Sequence, residues 1–229
     1  MKFGVVIFPG SNCDKDIIFA IQNTIGQQVV ELWHKDQDLQ NCDVIFLPGG
    51  FSYGDYLRSG AIAKFSPIMK EVINFAENGG YLIGICNGFQ ILTESGLLPG
   101  ALLHNTNNKF ICKNVYLKVN NHNSLITNQY NGQAIKIPIA HGEGRFFADD
   151  ITLEELEKNN QIIFKYCDKN GNISDDSNPN GSLANIAGIC NKNKNVFGMM
   201  PHPERACSED LANADGKAIL MGLVQEVLA

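Results

Sequence analysis

The chain has 229 residues, 44% of them apolar and 18% charged, enough to bury roughly 70% of its unfolded surface around one core. A single domain spanning residues 1–229 is expected. Eighteen basic against twenty-four acidic side chains leave a net charge of -6, so no basic field exists to hold nucleic acid or an anionic membrane. The first apolar run, Lys2 to Phe8, follows Met1 without a charged leader or cleavage site, and no run approaches the roughly 18 residues of a membrane helix. A cytoplasmic chain is expected. The seven cysteines are odd in number, scattered, and form no Cys-X-X-Cys pair, which predicts reduced thiols rather than disulfides or a zinc site.

In chain order, short apolar runs alternate with stretches of helical period, the pattern of an α/β fold with a mostly parallel, flavodoxin-like central sheet. Strands are predicted at 2–8, 28–33, 43–47 and 81–85, and helices at 14–25, 62–76 and from immediately after Cys86 to about Ser95. Beyond Leu98 the period changes. Extended segments at 111–119, 133–140, 162–167 and 183–189 predict antiparallel strand pairs added to the sheet, and 196–200 is one more short strand, stopped by Pro201. A closing amphipathic helix is read from Leu211, Ile219, Leu220, Leu223, Val224 and Val227. The Asn- and Lys-rich stretches 105–131 and 159–195 read mainly as solvated loops between these elements.

Three segments follow strand ends, where open parallel sheets bind ligands. Gly84-Ile85-Cys86-Asn87-Gly88 has the pattern of a strand-to-helix elbow with a thiol at its apex and a helix N-terminus behind it, a setting that favours thiolate. Met200-Pro201-His202-Pro203-Glu204 is held extended by its prolines, which sends His202 and Glu204 to one side as a base and the carboxylate that orients it. Pro48-Gly49-Gly50 offers a second backbone N–H beside the elbow. Gly50 and Asn87 N–H are thus candidate oxyanion donors for acyl transfer. A metal reading of His202-X-Glu204 lacks a third ligand.

GICNGFQ at 84–90, PGGFSYGD at 48–55, HGEGRF at 141–146 and MMPHPER at 199–205 resemble the class I (triad) glutamine amidotransferases. Within them FPGSNCD at 8–14, NPNGS at 178–182 and the overall length resemble the small glutaminase subunits of phosphoribosylformylglycinamidine synthases. The resemblance implies hydrolysis of the L-glutamine amide through a thioester, with Cys86, His202 and Glu204 as triad and Gly50 and Asn87 as oxyanion hole. It further implies Gly49, Gln90, His141 and Gly142 as substrate contacts, although His141 reads equally well as a satisfied loop histidine. Glu143, Arg145 and Arg58 read as ion-paired loop or interface residues. No cofactor is expected on this chain, which lacks a Gly-X4-Gly-Lys-Ser/Thr loop. The resemblance places ATP and magnesium on a large synthetase subunit, with a small third subunit bridging the two. Rival readings are another elbow-cysteine hydrolase, a DJ-1-like protein, or a non-catalytic regulatory subunit.

Overall fold

The computed structural model describes residues 1–121 and 124–227, the side chains of 225–227 excepted. The first half alternates strands with helices: β1 (Lys2–Ile7), α1 (Asp14–Phe19), β2 (Gln28–Trp33), β3 (Val44–Leu47), α2 (Pro67–Glu77), β4 (Tyr81–Ile85) and α3 (Asn87–Glu94). The second half adds β5 (Ala101–Leu103), β6 (Ile111–Val119), β7 (Ile135–His141), β8 (Arg145–Phe147), α4 (Asp150–Lys158), β9 (Ile162–Cys167), β10 (Ile186–Cys190), β11 (Val196–Met199) and α5 (Lys217–Val227).

Among the described residues the main sheet has the order β2-β1-β3-β4-β11-β10-β9-β6-β7. The first five strands are parallel to one another, and every later pairing is antiparallel. This is the expected α/β architecture, and its reason is visible in the burial. All four residues of β3 and all four of β11 are buried, as befits strands covered on both faces by crossover helices. β7 is the outer edge, which is why it tolerates Pro138, a residue with no N–H to donate. The carbonyl ends of β3, β4 and β11 lie side by side, so the loops that follow them converge.

Several boundaries differ from the sequence reading. The second helix begins at Pro67 rather than 62, because proline suits the first helical position and disfavours helix in the residue before it. The segment 14–25 is helical only to Phe19 before its last turn widens into a π-turn over Ala20–Thr24. Residues 183–185 form a 3-10 turn with Ala184 and Asn185 at positive φ, so the strand starts at Ile186. Leu211 sits in a separate 3-10 turn ahead of the closing helix, and the Val227 side chain lies outside the described residues.

Two features escaped the sequence reading. Helix α4 carries a capping signal, Asp149, whose carboxylate accepts from Thr152 N at 2.8 Å. The β5–β8 ribbon consists of strands of three residues, too short to show a period.

The Asn-rich stretches are the main correction. Asn105, Asn121, Asn180, Asn185 and Asn195 are buried, because their amides satisfy backbone groups that turns leave unpaired. Asn195 Nδ2, for example, donates to Ala76 O at 2.7 Å and Gly80 O at 2.8 Å, closing the end of α2 against the start of β4.

Candidate active site

The elbow places Cys86 between β4 and α3 with φ 52° and ψ -105°, a backbone conformation that a non-glycine residue adopts only under constraint. The constraint is local packing. Cys86 N donates to Met199 O at 2.8 Å, while a Cβ on Gly88 would collide with Leu47 O and one on Gly84 would come 2.6 Å from the Gly88 carbonyl. Only glycine on both sides lets the helix start this close to the sheet. The Cys86 thiol points to Ala140 O, 3.7 Å away on β7.

The chain then brings His202 to the same place. His202 N donates to Pro138 O at 2.9 Å, anchoring the loop after β11 to the edge strand. Its Nδ1 lies 2.6 Å from Glu204 Oε1. Exposures of 5% for Cys86, 1% for His202 and 2% for Glu204 put all three below the surface, where a charge pair is weakly screened.

Burial is the largest influence on the His202 imidazole and pulls its pKa down. The Glu204 carboxylate and Cys86 outweigh it and raise the value to about 10. His202 Nε2 makes no hydrogen bond of ordinary geometry among the described residues. Its interaction with the Cys86 sulfur is looser, and is felt as a charge and as a weak acceptor.

Gly49 and Gly50 fill the third side. A Cβ on Gly49 would come 2.8 Å from His202 Cε1. Gly50 has φ 130° and its position is blocked to side chains by Asn12 N and Gly10 O. The loop after β1 clamps it there, through Phe51 N to Gly10 O at 2.8 Å and Cys13 N to Gly49 O at 3.2 Å. Gly50 N–H donates no hydrogen bond among the described residues, and Asn87 N–H opens α3, where helix geometry leaves it unpaired.

A cavity of about 140 Å³ opens over this arrangement, lined by Cys86, Gly50, Gln90, His141, Gly142 and Glu143 among others. Gln90 Nε2 donates to Glu143 O at 2.6 Å, and Asn87 Nδ2 donates to Gln90 Oε1 at 2.8 Å, so Gln90 stands as a braced wall of the cavity. Thus all nine predicted site residues gather at one point: Cys86, Gly50, Gln90, His141 and Gly142 line the cavity, Gly49, His202 and Glu204 stand behind, and Asn87 at the elbow itself closes the set.

Arg58 is ion-paired as read, through two bonds to Glu94 at 2.6 and 2.7 Å. Glu143 faces His104 at 3.5 Å. Arg145 differs, because its Nε donates to the His104 carbonyl at 2.9 Å rather than to a carboxylate.

Other residues of the site carried no sequence signal of their role. Arg205 bonds Asp16 at 2.8 Å and the Cys13 thiol at 3.1 Å, tying the segment after His202 to α1. Burial pushes the Cys13 thiol up to about 12 despite the nearby Arg205. Asn105 holds His141, with Oδ1 and Nδ1 3.1 Å apart. Their partners are 36 to 192 positions away, beyond any local pattern. All seven cysteines are free, and no three His, Cys, Asp or Glu side chains among the described residues come together as a metal site.

Residues 1–218 match the family model of the CobB/CobQ-like glutamine amidotransferase domain. A protein of Trichormus variabilis named phosphoribosylformylglycinamidine synthase subunit PurQ is 54% identical over 230 residues, covering 100% of this chain and 99% of the relative. A protein of the same name from Moorella thermoacetica is 55% identical, covering 98% and 95%. Among solved structures, PurLQS from Thermotoga maritima superposes with a TM-score of 0.86 at 42% identity, covering 99% of this chain and 98% of the other. A second Thermotoga maritima structure, a glutamine amidotransferase, shares the fold with a TM-score of 0.57 at 14% identity, covering 100% and 86%. The glycine-braced elbow, the buried His202–Glu204 pair and this likeness along the whole chain agree, and the chain belongs to the PurQ family of glutamine amidotransferases.

Proposed function

We infer that this chain is the glutaminase subunit of a phosphoribosylformylglycinamidine synthase. It hydrolyses the side-chain amide of glutamine and passes ammonia to a synthetase subunit, which aminates formylglycinamide ribonucleotide in purine biosynthesis. The observation that carries the reading is the strained Cys86 at the floor of the cavity, with the His202–Glu204 pair buried against it. Full-length identity of 54% to a PurQ subunit supports the same assignment.

In this reading His202 already holds the proton, in keeping with its raised pKa, and the Cys86 thiolate beside it adds to the amide carbon. Gly50 and Asn87 N–H receive the developing oxyanion, a donor pair whose members are each worth about 10² to 10³ in rate. As the intermediate collapses, the C–N bond breaks, the His202 imidazolium gives its proton to nitrogen, and ammonia leaves a Cys86 thioester. Water then adds to the thioester with His202 as base, the C–S bond breaks, and glutamate departs. Glu204 keeps the imidazole oriented and supports its positive charge throughout. Gly49, Gln90 and Gly142 shape the place of the substrate beside Cys86.

The whole chain, 1–229, acts as one domain, a reading supported by the continuous sheet and the single apolar core beneath it. Its partners are a large synthetase subunit and a small bridging subunit, in keeping with the three-letter assembly named in the Thermotoga maritima structure. ATP and magnesium act on the synthetase subunit, and the complex works in the cytoplasm. No described helix is long and apolar enough to cross a membrane.

The test is Cys86→Ala in the reconstituted complex. Glutamine-dependent synthesis is expected to vanish while synthesis from an ammonium salt persists. Equal loss with both nitrogen sources would refute the assignment of Cys86 as nucleophile.

A further inference from the structure

The two ring nitrogens of His141 stand in unequal surroundings. Asn105 Nδ2 donates to two backbone carbonyls, Lys109 O and His141 O, each at 2.8 Å. Carbonyls only accept, so the orientation of the Asn105 amide is settled and its Oδ1 is the acceptor. That oxygen takes Gly144 N at 3.2 Å and His141 Nδ1 at 3.1 Å. Nδ1 therefore carries the ring proton, and Nε2 is a bare lone pair.

This lone pair is buried and unmatched. His141 is 3% exposed, and Nε2 has no hydrogen-bond partner among the described residues. The ring packs closely on Gly144, where an added Cβ would collide with it. It lines the same cavity as Cys86 and Gly50 and lies near enough to His202 to feel its charge. Burial, with His202 adding to it, lowers the His141 pKa to about 4, so the ring is neutral at pH 7. A buried acceptor without a donor is costly unless something in the site supplies one.

A primary amide has two unlike ends. Its oxygen wants donors, which Gly50 and Asn87 N–H provide. Its nitrogen presents two N–H groups and wants acceptors. We propose that His141 Nε2 accepts an N–H of the glutamine side-chain amide and is thereby the residue that tells glutamine from glutamate. A glutamate carboxylate would set a lone pair against a lone pair, which disfavours the product in the same position and speeds its release. This inference rests on the glutaminase reading and adds to it the atom that selects amide over carboxylate.

The experiment compares His141→Leu, which deletes the acceptor, with His141→Gln, whose Oε1 restores one, in the three-subunit complex. The readouts are KM for glutamine and the inhibition constant for glutamate. Co-elution of the three subunits on size exclusion reports assembly. Loss of one hydrogen bond predicts a KM for glutamine about tenfold higher in the leucine variant and glutamate inhibition about tenfold tighter, with most of the discrimination regained by glutamine. An unchanged ratio of the two constants in His141→Leu, or a His141→Gln variant no better than leucine, overturns the proposal.

Should leucine prevent assembly, nitrogen NMR of the wild-type chain in the complex decides. An unprotonated His141 Nε2 supports the assignment and a protonated one refutes it. A wild-type complex inert toward glutamine would instead refute the glutaminase reading, leaving the tautomer of His141 to stand or fall by the NMR alone.

Discussion

The His202 ring occupies the space into which a side chain at Gly49 would project, since a Cβ there would lie 2.8 Å from His202 Cε1 and 3.1 Å from Cys13 Sγ. Gly49→Ala therefore pushes the imidazole off Cys86 without touching either residue chemically. Glutamine-dependent turnover is expected to fall about 10²-fold, the usual cost of a small misplacement in a catalytic pair, with ammonium-dependent synthesis kept. Steady-state kinetics with both nitrogen sources check this, and an alanine variant of wild-type kcat would contradict the crowding.

The His202–Glu204 pair has a pH signature. The folded imidazole titrates above its ordinary 6.5, so its protonation contributes stability fully present below pH 6.5 and lost as pH rises through the folded value. Glu204→Gln removes a group that raises the value. The melting-temperature gap between wild type and this variant should narrow as pH climbs from 6.5 toward 10. The alkaline limb of glutaminase activity should move down by about one unit or more. A gap that widens across that range would reverse the sign of the argument.

Thiol reactivity offers a contrast within one molecule. Cys112 is exposed, while burial holds the Cys13 thiol up at about 12 and raises Cys167 and Cys190 to about 11. A glutamine-mimicking diazo-ketone is expected to label Cys86 ahead of all of them at pH 8, and a general alkylating agent to find Cys112 as well. Peptide mapping by mass spectrometry distinguishes the two patterns. Labelling of Cys13 before Cys86 would count against the burial argument.

Asn195 tests the structural asparagines apart from the chemistry. Replacing it by leucine removes the amide donor to Gly80 O and one of the two donors to Ala76 O, which keeps Gly79 N–H at 3.1 Å, and this predicts destabilisation of about 1 to 3 kcal/mol. Denaturant unfolding should register the loss, while KM for glutamine stays at the wild-type value because β4 and α2 meet here at the end of the sheet away from Cys86. Unchanged stability would mean that the Asn195 amide contributes nothing net at this cap.

What was legible in the sequence is what neighbours in the chain decide. The glycines around Cys86 and the prolines around His202 set local torsions, and the alternation of apolar runs sets a parallel sheet, so the elbow, the His202–Glu204 spacing and the fold class could all be read directly. The α4 cap at Asp149 is a local signal of the same kind. The asparagines read as solvated because their composition speaks for solvent, whereas an amide side chain that meets two backbone carbonyls is satisfied when buried. The sheet order, which sets the loops after β3, β4 and β11 next to one another, arises only when distant strands pair. So do the Arg205 bridge to Cys13 and Asp16 and the Asn105 bond that assigns the His141 proton. Such contacts depend on where the backbone carries groups 36 or 192 positions apart, and hydrogen bonding at that range is decided by tertiary packing alone.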